Sequence, residues 1–163
     1  MTRISTALLL GLCVFAFAVA GCGGGSGGGS SAQLSKAQYK AKLAAIAKKV
    51  DTAHSDLSHG AKQAVTVSDV QSVLNRYSAT EQRIGDEISS LNPPANAAAA
   101  NTELAKGWHD DSAEIKGLIP KLAKLKSAAE AFAFLQSIPH TKGGTEQDAA
   151  IQKLQKLGYT SGS

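Results

Sequence analysis

The strongest structural signal in the sequence lies in residues 68–94, which read SDVQSVLNRYSATEQRIGDEISSLNPP. Apolar residues recur there mostly at intervals of three, four or seven positions, which places them on one face of a helix: Val70, Val73, Leu74, Tyr77, Ile84, Ile88 and Leu91. Ser68 and Gln71 have the spacing of a capping box, and the Asn92-Pro93-Pro94 segment cannot continue a helix. This stretch therefore predicts a helix that begins near Ser68 and buries one face.

The two neighbouring segments show the same helical period. In the first segment, Ser35 and Gln38 form a capping-box pattern, and Gly60 is a natural C-terminal stop. The stripe between them consists of Tyr39, Leu43, Ile46, Val50 and Leu57. A third helix is predicted from about Ala95 to Leu118, and Pro120 is expected to break it because proline removes a backbone N–H donor.

Two further helices are predicted after Pro120. The fourth carries the apolar positions Leu122, Leu125, Ala129, Phe132, Leu135 and Ile138, and it ends before Pro139. The Gly143-Gly144 pair is expected to lie in a loop. Thr145 opens a capping-box pattern for a short last helix, and Gly158 suits a left-handed C-terminal cap on which Tyr159 folds back.

The predicted fold is therefore all-α, an antiparallel bundle of about four helices plus a short C-terminal helix. No strand pattern competes with it, and an aromatic content of 5% is low for an all-β domain. We assign residues 34–159 to the helical-bundle domain and residues 160–163 to a tail.

The first residues of the chain have the pattern of an export signal. Arg3 supplies a positive charge, and Ala7 to Ala20 form an unbroken apolar run. Fourteen helical residues span only about 21 Å, which is short of the roughly 30 Å hydrocarbon core of a bilayer. Residues 1–21 are therefore predicted to be a signal peptide rather than a transmembrane helix.

The apolar run ends in Val19-Ala20-Gly21-Cys22, which resembles the lipobox of bacterial lipoproteins. The resemblance implies cleavage before Cys22, a diacylglycerol on its sulfur and acylation of the new amine. Two or more acyl chains anchor a protein stably, so the expected location is the extracytoplasmic face of the cell membrane. The alternative is a secreted protein with a chance cysteine. Residues 22–33 then form the lipidated start and a Gly/Ser linker.

The chain also resembles uncharacterised actinobacterial helical lipoproteins. The resemblance is carried by Ser35-Lys36-Ala37-Gln38-Tyr39, by Leu91-Asn92-Pro93-Pro94-Ala95 and by Leu157-Gly158-Tyr159. Such proteins often have a cysteine in the first helix, and this chain has none there. The resemblance implies a fold and a location, and it implies no activity.

Four side chains form a hypothetical metal site. Asp51 and His54 are three positions apart and share a helix face, and they could be joined by His109 and Asp111 of the third helix. The Glu-x-x-His signature of di-iron bundles is missing. The alternative is that His54 is a helix-surface or core-edge residue.

Trp108 and Phe134 are the candidates for an aromatic binding surface. The alternative places Trp108 in the core between Leu104 and Ile115, at spacings of four and seven. Lysines also crowd the first helix, where they either contact anionic lipid headgroups or form a solvated face: Lys36, Lys40, Lys42, Lys48 and Lys49.

Composition and motifs favour binding over catalysis. The sequence has no nucleophile elbow and no phosphate loop, and Cys13 lies in the segment predicted to be removed. A net charge of +4 is too mild and scattered for a nucleic-acid binder. We expect a binding or scaffolding module without cofactors, with the membrane and an envelope protein as partners. The alternative is a metal- or small-ligand-binding bundle.

Overall fold

The computed structural model describes residues 32–160, which form α-helices and no β-strand. The helices are α1 (Lys36–Gln63), α2 (Val67–Ser89), α3 (Ala98–Leu122), α4 (Ala128–Gln136) and α5 (Lys142–Lys156), with a short 3-10 helix (Ala95–Ala97) before α3. The predicted all-α class is confirmed. In this part of the chain, no helix is both long and apolar enough to cross a membrane.

Neighbouring helices run antiparallel. Helix α3 packs on both α2 and α5, whereas α1 packs mainly on α2. The side chain of Gln71 donates to the carbonyl of Ile119 at 3.0 Å, and the hydroxyl of Ser112 donates to the carbonyl of Ser78 at 2.8 Å. Residue numbers thus rise along α2 as they fall along α3. The bundle has three long helices, and α4, expected to be long, has only nine residues.

The structure corrects several helix boundaries. Helix α1 passes through Gly60 and ends at Gln63. Helix α3 passes through Pro120 and ends at Leu122, so the prediction of a break at this proline was wrong. The proline lies in the last turn of α3, so it removes a single N–H donor from the helix, which ends two residues later. Helix α4 begins only after its cap at Ser127, which accepts a hydrogen bond from the Glu130 N–H.

The N-terminal caps show where local patterns were ambiguous. The capping box of Ser35 and Gln38 is confirmed. Helix α2 is capped by Thr66 rather than Ser68, because Thr66 and Asp69 bond each other's backbone N–H groups. Helix α5 begins after Thr141, so Gly143 and Gly144 lie in its first turn and not in a loop.

Two apolar clusters fill the described bundle. The proximal core lies at the end where α1 begins, and the distal core lies at the end that holds α4. The proximal core consists of Tyr39, Leu43, Ile46, Ile84, Ile88, Ala97, Ala100, Leu104, Ala105, Trp108, Ala150, Leu154 and Tyr159. The distal core consists of Val70, Leu74, Ile115, Leu122, Ala128 and Ala131.

Tyrosine side chains connect the elements of the proximal core. Gly158 has a φ of 72°, and the Tyr159 N–H donates to the Leu154 carbonyl at 2.9 Å, which confirms the predicted left-handed cap. The Tyr159 ring packs edge-on against Tyr39 at 5.2 Å. The Tyr39 hydroxyl donates to Asn101 at 2.9 Å. These contacts join α1, α3 and the C-terminal turn at one end of the bundle.

Candidate functional site

The four metal candidates do not form one site. Asp51 and His54 are exposed on α1. His109 lies 3.1 Å from a carboxylate oxygen of Asp86, and Asp111 accepts a hydrogen bond from Gln147 at 3.4 Å. Among residues 32–160, no three His, Cys, Asp or Glu side chains are arranged to hold a metal ion. Nothing in this geometry supports the metal alternative.

The two aromatic candidates lie in the apolar clusters. Trp108 is 6% exposed and belongs to the proximal core, as the core alternative required. Phe134 is half-buried and packs against the distal core. Neither ring lines the groove between α1 and α2 that is described below. Cys22, the predicted lipidation site, lies outside the described residues.

A layer of polar side chains separates the proximal core from the distal core. Ser78 and Glu81 of α2 and Ser112 of α3 are all fully buried. The Ser112 hydroxyl donates to the Ser78 carbonyl, and the Ser78 hydroxyl donates to the Asn75 carbonyl at 3.2 Å. The serines are therefore satisfied by the backbone, which leaves Glu81 as the unusual member of the layer.

Glu81 is a fully buried carboxyl group that lies next to the Tyr77 hydroxyl and the Asp111 carboxylate. Neither of its side-chain oxygens makes a hydrogen bond of regular geometry in the described structure. Burial, together with the nearby Asp111 carboxylate, raises the pKa of Glu81 to about 9. Burial also raises the pKa of the Tyr77 hydroxyl, and Glu81 adds to that rise. Glu81 is therefore protonated and neutral at neutral pH.

Glu81 is not among the residues predicted from the sequence, although the sequence carries a signal for it. The apolar stripe of α2 jumps seven positions from Tyr77 to Ile84, and the position that completes it is occupied by Glu81. Asp111 fills the corresponding gap between Trp108 and Ile115 on α3. A carboxyl group at a stripe position of two adjacent helices predicts a polar contact inside the bundle.

Glycines bring α5 close to the polar layer. A Cβ atom on Gly143 would lie 2.6 Å from the Cα of Asp111, and one on Gly107 would lie 2.8 Å from the backbone N of Gln147. The Glu114 carboxylate accepts hydrogen bonds from the N–H groups of Lys142 and Gly143. The backbones of α3 and α5 therefore meet next to Asp111, which only glycine at these positions permits.

Beside the polar layer, α1 and α2 border an open groove of about 610 Å³. Leu57, Val73 and Tyr77 give it an apolar floor, and Tyr77 connects this floor to Glu81 in the polar layer. Most of its other lining residues are polar: Asp56, His59, Gln63, Asn75, Arg76, Thr80 and Arg83. The groove continues into a cleft of about 590 Å³ beside Lys48, Lys49 and Glu87.

The groove contains both arginines of the described residues, Arg76 and Arg83. Neither guanidinium lies within ion-pairing distance of a carboxylate in this part of the chain, whereas Lys49 binds Glu87 at 2.5 Å and Lys153 binds Glu103 at 2.5 Å. The Arg83 side chain donates to the Ala79 carbonyl and to the Thr80 hydroxyl, both at 3.2 Å. Two guanidinium groups thus line one groove without an anionic partner.

The arginines of the groove are likewise not among the residues predicted from the sequence. Their signal is the spacing of Arg76, Thr80 and Arg83, which puts all three on one face of α2 beside the apolar stripe. Comparison with known proteins adds no further residue to this site. No protein-family model matches the sequence, and neither a curated protein nor a solved structure shows significant similarity to it.

Proposed function

We propose that the chain is an extracytoplasmic binding module, anchored to the cell membrane by lipid on Cys22, that holds a small ligand in the groove between α1 and α2. The observation that carries the binding role is the groove itself, with its apolar floor and two arginines that make no ion pair within residues 32–160. The groove thus combines an apolar floor with polar side chains that can fix the orientation of a small ligand.

The lipid anchor is supported by the sequence that precedes the bundle. Val19-Ala20-Gly21-Cys22 has the lipobox pattern, and fourteen positions separate Cys22 from the start of α1 at Lys36. A Gly/Ser segment of about ten residues has a root-mean-square reach of roughly 17 Å. The anchor therefore keeps the bundle near the membrane without fixing its orientation, which suits a module that meets ligands or an envelope protein there.

A binding role suits the groove better than a catalytic one. The groove offers guanidinium, hydroxyl and amide groups that can fix a ligand. Its neighbour Glu81 is fully buried and does not line the groove, so its carboxyl group does not contact a ligand held there. The side chains that line the groove can therefore bind a ligand and fix its orientation.

The anchor is tested by replacing the cysteine that would carry the lipid. Membrane fractionation of cells that express the full chain should find the wild type in the membrane fraction. The Cys22→Ser variant should leave that fraction or remain as the uncleaved precursor. The intact mass of the membrane-bound wild type should show a diacylglycerol on Cys22. An unmodified Cys22 thiol in that protein would contradict the anchor.

The groove is tested by filling it. Thr80 is half-buried and lines the groove, so Thr80→Trp should block it, whereas Ala113 is exposed on α3 and Ala113→Trp is the matched control. Native mass spectrometry of the protein from its own membranes should show a bound small molecule in the wild type and the control, and none in Thr80→Trp. Equal ligand in all three proteins would reject the groove as the binding site.

A further inference from the structure

We propose that the ligand of the groove between α1 and α2 carries a phosphate group, which is bound by Arg76 and Arg83. This inference rests on the proposed binding function and specifies the chemical class of the ligand. It stands on three observations: the lack of ion pairs at both arginines, the hydrogen bonds that orient Arg83, and the balance of charge around the groove.

The first observation is that neither arginine makes an ion pair within the described residues, although a carboxylate lines the same groove. Lys106 contacts the carboxylates of Asp110 and Glu146, and Lys142 lies 3.4 Å from Glu146. Asp56 lines the same groove as the arginines, yet no ion pair joins it to either of them. Both guanidinium groups therefore remain able to bind an anion from outside the chain.

The second observation is the orientation of Arg83. Its Nε donates to the Ala79 carbonyl, and its Nη2 donates to the Thr80 hydroxyl. Both acceptors precede Arg83 on α2, so the side chain folds back towards Arg76. These bonds use two of the five N–H donors of the guanidinium and leave the others for a ligand. A side chain that is already oriented loses less freedom on binding.

The third observation is the charge of the groove and its adjoining cleft. Four basic side chains line them, namely Lys48, Lys49, Arg76 and Arg83. Only two carboxylates do so, and Glu87 is engaged by Lys49. This excess favours an anion. Guanidinium groups bind phosphate through paired hydrogen bonds, and the apolar floor suits a ligand whose phosphate is attached to a carbon chain.

A phosphate group in this groove could belong to a lipid headgroup or to a soluble phosphate ester. The groove begins near Ala53, which is about 26 Å along α1 from Lys36 at 1.5 Å per residue. A headgroup in the anchoring membrane would therefore be reached only when α1 lies along the bilayer surface. The two sources are separated by the probes of the test.

The test measures binding to the mature full chain in a non-ionic detergent by isothermal titration calorimetry. The soluble probe is glycerol 3-phosphate, the lipid probe is dihexanoyl phosphatidylglycerol, and hexanoate is the carboxylate comparison. The variants are Arg76→Gln/Arg83→Gln and, as a control with the same change of charge, Lys116→Gln/Lys124→Gln. Both control lysines are exposed and make no ion pair in the described structure.

Wild type and control should bind one phosphate probe at least about ten-fold more tightly than the arginine variant, because hydrogen bonds between charged groups are lost. The phosphate probe that binds more tightly shows whether the phosphate belongs to a lipid headgroup or to a soluble phosphate ester. Circular dichroism should show that both variants are folded. Should the arginine variant unfold, Arg76→Lys/Arg83→Lys replaces it and is expected to bind more weakly than the wild type.

Several results would overturn the phosphate assignment. These are the absence of binding to either phosphate probe at millimolar concentration, equal weakening in the arginine and control variants, and binding of hexanoate as tight as that of the phosphates. If the wild type nevertheless carries a small molecule that Thr80→Trp excludes, the binding function stands and only the ligand class is wrong. If no such molecule is present, the binding function fails as well.

Discussion

The proximal and distal cores of the described bundle are built from different numbers of elements. The proximal core has thirteen buried apolar residues drawn from α1, α2, α3, α5 and the segments beside them, whereas the distal core has six from α2, α3 and α4. Nine half-buried apolar residues pack around the distal core and remain partly in contact with solvent, among them Leu125, Phe132, Phe134 and Leu135. The comparison indicates that the proximal core supplies most of the packing stability. The groove lies beside the polar layer that separates the proximal core from the distal core.

The largest expected effect is a cavity in the proximal core. Leu154 is fully buried, so Leu154→Ala should lower the free energy of unfolding by about 2–5 kcal/mol. Leu135→Ala in the distal region should cost less, on the order of 1–2 kcal/mol, because Leu135 is already partly exposed. Urea denaturation of both variants measures the difference. Equal losses would show that the two ends contribute alike.

The next effect concerns the polar layer between the cores. Because the folded chain holds the Glu81 proton up to a pKa of about 9, against 4.5 when unfolded, the folded state carries more protons between these pH values. Protonated Glu81 therefore makes its full contribution to the free energy of unfolding below pH 4.5. This contribution is lost as the pH rises towards 9. The free energy of unfolding should fall with rising pH by at most about 1.4 kcal/mol per pH unit in this range, and this fall is the slope to be measured.

Glu81→Gln should remove this slope, because glutamine does not titrate. Urea denaturation at pH values between 5 and 8 measures the free energy of unfolding of the variant and of the wild type. Asp148 is exposed and makes no side-chain contact in the described structure, so Asp148→Asn is the control and should keep the slope of the wild type. A wild type whose stability does not fall over this range would contradict the raised pKa of Glu81.

A smaller effect is expected at the contact of α3 and α5. Gly143→Ala would place a Cβ atom against the backbone of Asp111, so the variant should lose about 1–3 kcal/mol of stability. Gly117 has open space around its Cβ position, and Gly117→Ala should stabilise α3 by up to about 1 kcal/mol. Thermal unfolding compares the two. Stabilisation by both alanines would mean that α3 and α5 do not approach closely.

The smallest effect is the loss of one hydrogen bond within the proximal core. Tyr39→Phe removes the bond to Asn101 and keeps the ring that packs against Tyr159. The variant should lose about 0.5–1.5 kcal/mol, or somewhat more because Asn101 is buried and loses a donor. Urea denaturation measures the loss. An unchanged stability would indicate that the bond does not form in solution.

Local patterns predicted the parts of the fold that are decided locally. The left-handed cap at Gly158 and the capping box at Ser35 depend on neighbours within six positions, and both are confirmed. The apolar stripes likewise identified most of the core. The capping residue of α2 was missed because Thr66 and Ser68 are both suitable caps, and Asp69 selects Thr66. Local sequence alone does not separate two such neighbours.

The candidate site could be predicted less well, because its features depend on contacts between helices. Gly143 was expected in a loop, yet it is helical because α5 must approach Asp111 closely. Glu81 completes the apolar stripe of α2, but a carboxyl group at one stripe position does not establish burial until α3 packs against it. The groove could not be predicted, because it depends on how α1 and α2 lie relative to each other. The spacing of Arg76 and Arg83 places them on one face of α2 but says nothing about α1.

The most direct test is hydrogen–deuterium exchange of the chain in its own membranes, compared with the same protein after extraction and removal of bound small molecules. We expect that amides of residues 53–60 and 73–83, which border the groove, exchange more slowly in the membranes, while residues 113–117 of α3, which do not line the groove, are unchanged. Unchanged exchange at the groove, or protection confined to α4, would contradict the assignment of the groove as the ligand site.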